Sequence, residues 1–398
     1  MVIKKGQLSV VYFPVFIFSG EIINSALPAS VGYLITLVLL IYYFMYNLPF
    51  ITKNVFSVFI TLYFLILLIN VNDFEKVRPS IVGASVLFLL IGILPEIYKK
   101  YRKEVVSKEL SNSCLLILII FISNSLFSTY FKFNPHLMYG ISSGVLYGNL
   151  IHADFHILPL ALFVVLRMAI TDKKLFHYLV YAVAILFVML TFRRTVMALS
   201  ILGSMIVFFE LISFDNIKKL VVLLLGFGIL GLGIVKYTGF LDVFWERYEL
   251  RNLDDRDLEG ELRYIELGLV YDDIFLHYDY SPWIGYGLFQ LNGRNYGKGV
   301  LGDRPLHTDL MVLIHTSGII GLILYVMMVG YAFLSVWTKL KSRRELLQFG
   351  FVLLVFLVFF GTGRFTNTAS SMIIYLVLFL PFSKSISHSI KDSLPYKQ

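Results

Sequence analysis

The chain has 398 residues, of which 58% are hydrophobic and only 15% are charged, and its mean hydropathy is +0.78. Soluble domains carry about 25% charged residues, so this composition excludes a soluble globular protein and predicts a polytopic membrane protein. The formal net charge of +8 does not indicate nucleic-acid binding, because no basic stripe is interleaved with aromatic residues. The single cysteine, Cys114, lies in an apolar stretch and excludes a disulfide framework. No small-residue cleavage site follows the first apolar run, so no cleavable signal peptide is expected.

Twelve apolar runs of membrane-spanning length follow one another along the chain. They cover residues 8–24, 30–48, 55–71, 80–98, 112–131, 153–170, 176–192, 195–213, 220–236, 307–337, 347–361 and 369–383. The run at 307–337 is too long for one simple crossing, so it is expected to tilt or to begin outside the hydrocarbon. The predicted fold is all-α, with nine spans in 1–236, a capping loop at 237–306, and three spans and a tail in 307–398.

Lysine and arginine are distributed unequally between the two sides that these spans define. One side holds 16 Lys and 3 Arg, whereas the other holds 4 Lys and 10 Arg, half of its cationic residues lying in the long loop. Because long loops count little in the positive-inside rule, both termini are predicted to be cytoplasmic. Arginine forms bidentate, planar hydrogen bonds to phosphate and carboxylate, so the outer arginines favour an anionic, phosphate-bearing substrate at the outer surface.

The sixth predicted span begins with three polar residues at helical spacing. His152 and His156, with Asp154 between them, could ligate a metal ion, although no third strong ligand is obvious in the sequence. The favoured interpretation is the polar lining of a substrate cavity. Arg167, further along the same span, is a charge inside the membrane that lies close enough to the inner face for its side chain to snorkel.

Arg193 and Arg194 occupy a very short hairpin between predicted spans seven and eight. With Thr195 as the expected N-cap, the N-terminus of span eight points outward beside two guanidinium groups. Free backbone N–H groups and the helix dipole make such a position an anion site. Contact with lipid headgroup phosphates is the alternative, and two adjacent arginines in so short a hairpin favour the anion site.

The long loop contains a predicted surface helix near residues 258–276. Its apolar residues recur at helical spacing and would place one face on the membrane surface; they are Leu262, Ile265, Leu269 and Ile274. Arg263 lies on this helix, where an ordinary ion pair with Glu261 or Glu266 is the alternative to substrate binding. The preceding arginines alternate with acidic residues and predict a solvated charged face; they are Arg247, Arg251 and Arg256.

His307 begins the tenth predicted span, directly after the long loop. A neutral imidazole at this position could accept a proton from a sugar hydroxyl, whereas the alternative is an interfacial histidine that caps a helix. Its neighbours favour a function, because Arg304 adds a cation and Asp309 could orient the ring or the helix end. Arg364, on the short outer loop 362–368, is a further candidate for binding an anion.

Three short motifs occur in order within residues 140–380. They are Thr191-Phe192-Arg193-Arg194-Thr195, then Ser281-Pro282-Trp283-Ile284-Gly285-Tyr286-Gly287, then His307-Thr308-Asp309-Leu310 with Thr316-Ser317-Gly318-Ile319-Ile320-Gly321-Leu322. Their order and spacing resemble the O-antigen ligase and polymerase superfamily, as do twelve spans with one long outer loop before a histidine-headed span. Arg193 replaces the usual serine and Thr308 a common asparagine, and the motifs do not separate ligase from polymerase.

The resemblance implies a GT-C-like architecture and an inverting glycosyltransferase that needs no metal and no cofactor. It implies a periplasm-facing cavity that holds an undecaprenyl-pyrophosphate-linked glycan. His307 falls on the catalytic base, Arg194 on the hairpin arginine and Arg263 on the loop arginine, the two arginines binding the pyrophosphate. The further candidates for pyrophosphate binding are Arg193, Arg304 and Arg364. Inverting transfer needs a base on one side of the anomeric carbon and charge stabilisation on the other.

The favoured hypothesis is an O-antigen-type polysaccharide polymerase of the bacterial inner membrane, which transfers a glycan onto the hydroxyl of another lipid-linked repeat unit. A composition rich in Phe, Tyr, Ile and Lys favours it over the ligase, which transfers the glycan to lipid A–core. A flippase or transporter is the alternative of another class, and it predicts charges deep in several spans and an internal repeat. The expected partners are the lipid-linked glycan, membrane lipid and a chain-length regulator protein, without nucleic acid.

Overall fold

The structure is a computed structural model of the chain. It describes residues 5–23, 53–71, 74–134, 144–150, 152–211, 262–277, 280–289, 306, 308–362 and 367–384, with residues 38, 41, 45, 233, 241–242, 245–246 and 249 placed singly or in pairs. Within these ranges the regular structure is helical and contains no strand. The fold and the site are therefore built from helices and the turns between them.

The described α-helices are numbered here in chain order. They are α1 (Phe13–Ile23), α2 (Val55–Leu67), α3 (Phe74–Tyr98), α4 (Lys103–Phe131), α5 (Leu158–Asp172), α6 (Leu175–Leu190), α7 (Arg194–Leu211), α8 (Leu262–Tyr271), α9 (Asp309–Trp337), α10 (Arg343–Thr362) and α11 (Thr368–Leu378). Short 3₁₀ helices precede α1 and α5 and follow α2 and α11, at Lys5–Tyr12, His152–Ile157, Leu68–Asn70 and Leu380–Phe382. A π-helix, Asp272–Leu276, continues α8.

Five described helical stretches are long and apolar enough to cross a membrane. They are Ser80–Tyr98, Lys103–Phe131, Ala153–Asp172, Asp309–Trp337 and Arg343–Thr362. Shorter apolar helices accompany them at Leu8–Ile23, Val55–Leu67, Leu175–Leu190 and Thr368–Phe382. The chain is thus an all-α membrane protein. Ten predicted spans coincide with described helices, but the runs at 30–48 and 220–236 lie outside the described residues, so twelve spans and the GT-C-like arrangement stay predictions.

Helix α5 lies at the centre of the bundle. Every residue in Leu158–Leu166 is buried, and the helix packs against α4, α6, α7 and α11. A helix that is apolar on all faces is expected where protein surrounds it. The outer helices instead expose large apolar side chains, such as Phe127 on α4 and Leu179 on α6, as lipid contact requires. The 3₁₀ helix that leads into α5 is thereby held at one end of the bundle.

Helix α9 is broken, a feature that the sequence did not predict for this overlong apolar run. Gly318 has φ 65° and ψ −168°, so α9 consists of a first piece, Asp309–Ser317 (α9a), and a second piece, Ile319–Trp337 (α9b). This backbone conformation is open to glycine and strained for any other residue. The extra length of the apolar run therefore belongs to a separate short helix that precedes a membrane-length one.

Residues 281–286, called the docking loop, fill the break in α9. Three backbone hydrogen bonds join them to it: Tyr286 N donates to His315 O (2.7 Å), Ile319 N to Pro282 O (2.9 Å) and Ile320 N to Trp283 O (3.3 Å). The loop is a tight turn in which Gly285 N donates to Ser281 O over 2.8 Å. Non-helical backbone inside a membrane protein persists only where the protein satisfies its polar groups, and the docking loop does so.

The helix predicted in the long loop is confirmed over Leu262–Leu276. Of its predicted apolar face, Ile274 is buried and Ile265 and Leu269 are half-buried. The fully or nearly fully buried residues are Glu266, Val270, Asp273 and Ile274, whereas Leu267 and Tyr271 are exposed. Two carboxyl groups are therefore placed inside the protein.

Candidate functional site

The connections between the described helices meet at two ends of the bundle. The site end carries the 3₁₀ helix His152–Ile157, the α6–α7 hairpin and the first residues of α9 and α11. The opposite end carries the α3–α4 turn, the first residues of α10 and the last residues of α5 and α7. The site end is the one that sequence reasoning placed outside the cytoplasm, and this orientation stays a prediction.

A small cavity lies at the site end between the 3₁₀ helix, α9, α10 and α11. Its polar lining consists of His156, Asp309, Tyr325, Ser370, Ser371 and Tyr375. Phenylalanine and isoleucine side chains of α10 and α11 complete the wall. Polar side chains from three elements, the 3₁₀ helix, α9 and α11, thus converge within apolar walls.

Two helices begin at this cavity, and a side chain caps each of them. Thr308 Oγ1 accepts from Met311 N (3.3 Å) at the start of α9, and Asn367 Oδ1 accepts from Ser370 N (3.1 Å) at the start of α11. Each cap satisfies an N–H group that the helix itself leaves free. Both positive helix ends are thus directed toward the cavity, where they favour a negative charge such as the carboxylate of Asp309 in the first turn of α9.

The start of α11 is bound directly to the 3₁₀ helix that precedes α5. Asn367 Nδ2 donates to Asp154 Oδ1 (3.0 Å), and Ser370 Oγ donates to Ala153 O (3.3 Å). His156 stacks on Phe359 with ring centroids 4.2 Å apart. Among the described residues no group of three or more His, Cys, Asp or Glu could hold a metal ion. The polar-lining interpretation of this segment is the one that these contacts favour.

The hairpin between α6 and α7 places its two arginines differently. Phe192 turns the chain with φ 52°, and Arg193 O accepts from Met197 N (2.8 Å) as the first helical bond. The predicted N-cap at Thr195 is therefore wrong, because α7 begins at Arg194 and Thr195 is already helical. The Arg193 guanidinium is half-buried, 5.1 Å from the centre of the Phe155 ring, whereas Arg194 is exposed.

The structure describes only some of the residues that the sequence predicts to form the site. His307, Arg304 and Arg364 lie outside the described residues, as does the side chain of Arg263, whose backbone belongs to α8. The chain directly after His307 reaches the cavity through Asp309, and the chain shortly after Arg364 reaches it through Ser370. The 3₁₀ helix that Arg193 contacts lines the same cavity through His156. Sequence elements far apart in the chain are thus brought together.

His315 is a buried residue that sequence reasoning did not single out. It is fully inaccessible, and its ring centroid lies 5.1 Å from that of Tyr280 and 5.5 Å from that of Tyr286. The signal was present, because a titratable side chain inside an apolar span is a candidate for function. His315 lies three residues before the break at Gly318, and hydropathy alone does not show that break.

The opposite end is held by charged groups. Glu210 accepts from Arg167 Nε over 3.1 Å and also pairs with Arg344, while Gln348 accepts from Arg167 and donates to Val377 O over 2.8 Å. The Arg167 side chain is only 16% exposed, so the prediction that it snorkels to the surface is wrong. A buried guanidinium with a carboxylate and an amide as partners ties α5, α7, α10 and α11 together.

Backbone pairing adds to these contacts at the same end. Lys103 N donates to Lys384 O (3.0 Å), and Lys384 N donates to Tyr101 O (2.9 Å). Burial raises the pKa of Tyr101 in this turn above its ordinary value. The segment between α11 and Lys384 is therefore fixed against the α3–α4 turn.

In comparisons with protein-family models, curated proteins and solved structures, nothing matches this chain. The resemblance to a glycosyltransferase superfamily therefore depends on the three sequence motifs. The geometry of the site end is an observation that is independent of these motifs.

Proposed function

We propose that this protein is an O-antigen-type polysaccharide polymerase, an inverting glycosyltransferase that needs no metal. It moves a growing glycan from undecaprenyl pyrophosphate onto a sugar hydroxyl of another lipid-linked repeat unit. This reaction has the same chemistry as the ligase reaction, in which lipid A–core is the acceptor. It places the reaction at the site end of the bundle, on the outer side of the bacterial inner membrane.

The observation that carries the proposal is the convergence at the cavity of the elements that bear the motifs. The start of α9, which follows His307, and the start of α11, which follows Arg364, both line it through Asp309 and Ser370. Arg193 contacts the 3₁₀ helix that supplies His156. Two positive helix ends at the cavity, with a half-buried guanidinium against the neighbouring Phe155, suit a substrate that carries pyrophosphate.

The proposed reaction is a single displacement at the anomeric carbon of the donor glycan. His307 removes the proton from the acceptor hydroxyl as its oxygen forms the new glycosidic bond, and the bond from the anomeric carbon to the pyrophosphate oxygen breaks. Negative charge develops on the departing pyrophosphate, where preorganised donors stabilise it. The arginines proposed for this role are Arg193, Arg194, Arg263, Arg304 and Arg364.

The glycan pattern of a deletion strain tests the assignment. A polymerase deletion should leave a single repeat unit on the lipid core, because ligation continues while polymerisation stops. Long chains that accumulate on the lipid carrier would instead identify the ligase. Normal ladders would count against both reactions. Loss of all glycan from the lipid core would instead favour the transporter alternative, to be tested by translocation of lipid-linked glycan in vesicles.

The base assignment is tested by His307→Ala in reconstituted membranes. Loss of glycan transfer with normal expression and unfolding temperature is expected, because no other group in the proposal removes the acceptor proton. His277→Ala is the matched control, since His277 is exposed at the end of the π-helix. Transfer that survives in His307→Ala would contradict the assignment. A chelator should leave transfer intact, and strict metal dependence would instead support a metal site at His152 and His156.

A further inference from the structure

The docking loop and the break in α9 approach each other so closely that only glycine fits at the crossing. A Cβ atom on Gly285 would lie 2.7 Å from both Gly318 N and His315 O, and Gly285 has φ +73°. A Cβ atom on Gly318 would lie 2.3 Å from Trp283 C. These obstructing atoms are backbone atoms, which no change of rotamer can move aside. Any side chain at either position must push the loop and the helix apart.

Both pieces of α9 depend on this crossing for their hydrogen bonds. The end of α9a is bound through His315 O, which accepts from Tyr286 N of the loop, and through Ser317 O, which accepts from Tyr63 OH of α2 over 2.8 Å. The start of α9b is bound through the N–H groups of Ile319 and Ile320, which donate to the loop. The docking loop thus replaces the helical bonds that would have fixed α9a relative to α9b.

Side chains reinforce the backbone contact at the same place. The rings of Tyr280, Tyr286 and His315 lie in mutual contact, with centroids between 5.1 and 5.6 Å apart. His315 is fully buried and Tyr280 is 9% exposed. A closely packed aromatic group resists displacement, because its atoms have no alternative space. The orientation of α9a is therefore set by the loop on two levels, backbone and side chain.

The other end of α9a lies at the cavity, so a change at the break is magnified there. Eight helical rises separate Ser317 from Asp309, or about 12 Å at ~1.5 Å per residue. A tilt of about 10° at Ser317 would move the Asp309 backbone by about 2 Å over this length. Misplacement of an active-site group by about 1 Å can cost ~10²-fold in rate.

We infer that the docking loop and the break in α9 form an interlock that positions α9a at the reaction cavity. Gly285, Gly318 and His315 are then positioning residues for glycan transfer, a role that rests on the proposed function. The external segment that contains α8 and the docking loop is thereby coupled mechanically to the helix that lines the cavity with Asp309. The interlock itself is a property of the fold and can be measured without any substrate.

The experiment compares Gly318→Ala with Gly330→Ala, and Gly285→Ala with Gly268→Ala. Gly330 lies on α9b and Gly268 on α8, and a Cβ at either meets nothing within 4 Å, so these are matched controls. Amide hydrogen exchange is followed in peptides that cover 281–289 and 316–322, and kcat and KM for transfer are measured in reconstituted membranes. In the two test variants exchange should rise together in both peptides, by about tenfold or more. kcat should fall ~10²-fold with KM within about twofold, because the substrates still bind.

Each outcome decides a separate part of the inference. A rise in exchange confined to one peptide would overturn the interlock, and an unchanged kcat despite a rise in both would overturn the positioning role. If Gly318→Ala does not fold, Tyr63→Phe removes the hydroxyl that contacts both Ser317 O (2.8 Å) and Trp283 O (3.5 Å) at nearly constant shape. It should raise exchange in both peptides while lowering kcat less; no change in either measurement would contradict the inference. If the wild-type chain transfers no glycan, the proposed function fails, whereas the exchange measurement still decides the interlock.

Discussion

The two ends of the bundle are held together by different forces. At the opposite end, Arg167, Arg344 and Lys103 pair with the carboxylates of Glu210 and Glu345. At the site end, amide and hydroxyl groups cap two helices and bind the 3₁₀ helix around a cavity. Charges that are paired inside a protein serve its architecture, whereas positive helix ends directed at a cavity can receive a ligand. The difference separates residues that should affect stability from residues that should affect transfer.

The largest effect expected at the opposite end comes from Glu210→Gln. This change leaves the mostly buried Arg167 and its neighbour Arg344 without their shared carboxylate, which should cost about 3–5 kcal/mol of unfolding free energy. Unfolding in detergent micelles measures it. Glu96→Gln is the control, because Glu96 pairs with the exposed Lys99 just past the end of α3 and should contribute at most about 1 kcal/mol. Equal losses of unfolding free energy in the two variants would contradict the prediction that the buried network contributes more than the exposed pair.

Substituting the hairpin arginines tests the site end. Arg193→Lys keeps the charge but loses the planar fork and its position over Phe155, so kcat/KM should fall about 10²-fold, or ~2.7 kcal/mol. Arg194→Lys should impair transfer less, by about tenfold, because Arg194 is exposed. Neither variant should lower the unfolding temperature much. A larger effect at Arg194 would return it to the principal role that the sequence motif gave it.

Two N-cap residues allow the effect on transfer to be compared between variants with the same expected loss of stability. Asn367→Ala and Asn54→Ala each remove a helix N-cap, and each should cost about 1–2 kcal/mol of stability. Only Asn367 also binds Asp154 beside the cavity, whereas Asn54 donates to Met328 O of α9b. Transfer per folded molecule should therefore fall in Asn367→Ala alone. A parallel loss of transfer in both variants would mean that activity follows stability rather than the cavity.

The smallest effect is expected from Lys103→Gln, which removes the pair between α4 and α10. The lysine side chain is 35% exposed, so solvent screens the pair and the loss should be about 0–1 kcal/mol. High salt should remove the same amount of unfolding free energy from the wild type, because it screens the pair, whereas the variant should show no such salt dependence. The measurement is the unfolding free energy of both proteins at low and high ionic strength. A loss equal to that of Glu210→Gln would contradict the ranking by burial.

Hydropathy predicted the described spans well because burial in lipid demands long apolar runs. The run at 176–192 corresponds to Leu175–Leu190, within two residues at each end. The run at 112–131 is shorter than α4, which begins at Lys103. The difference has a physical cause, since the polar first turns of α4 lie beyond the apolar stretch that hydropathy detects, and backbone hydrogen bonding extends the helix past it.

The site was only partly predictable from the residues. The short hairpin and the polar start of the sixth span were foreseen, because charge and spacing are visible in sequence. The burial of His315 and the break at Gly318 were not, because a glycine in an apolar run does not reveal its φ. The direction of Arg193 toward Phe155 was also missed, since it depends on the turn at Phe192 and on where α7 begins.

The division of α9 also bears on how the protein is assembled in its membrane. α9b has 19 residues and spans about 28 Å at ~1.5 Å per residue, which matches a hydrocarbon core of about 30 Å by itself. During synthesis, α9a and α9b form one apolar run, and the docking loop precedes both in the chain. The break can take its final form only when that loop is folded back against it, so the two pieces of α9 and the loop must be completed together. Assembly of α9 is thus expected to depend on the docking loop as well as on insertion of its apolar run.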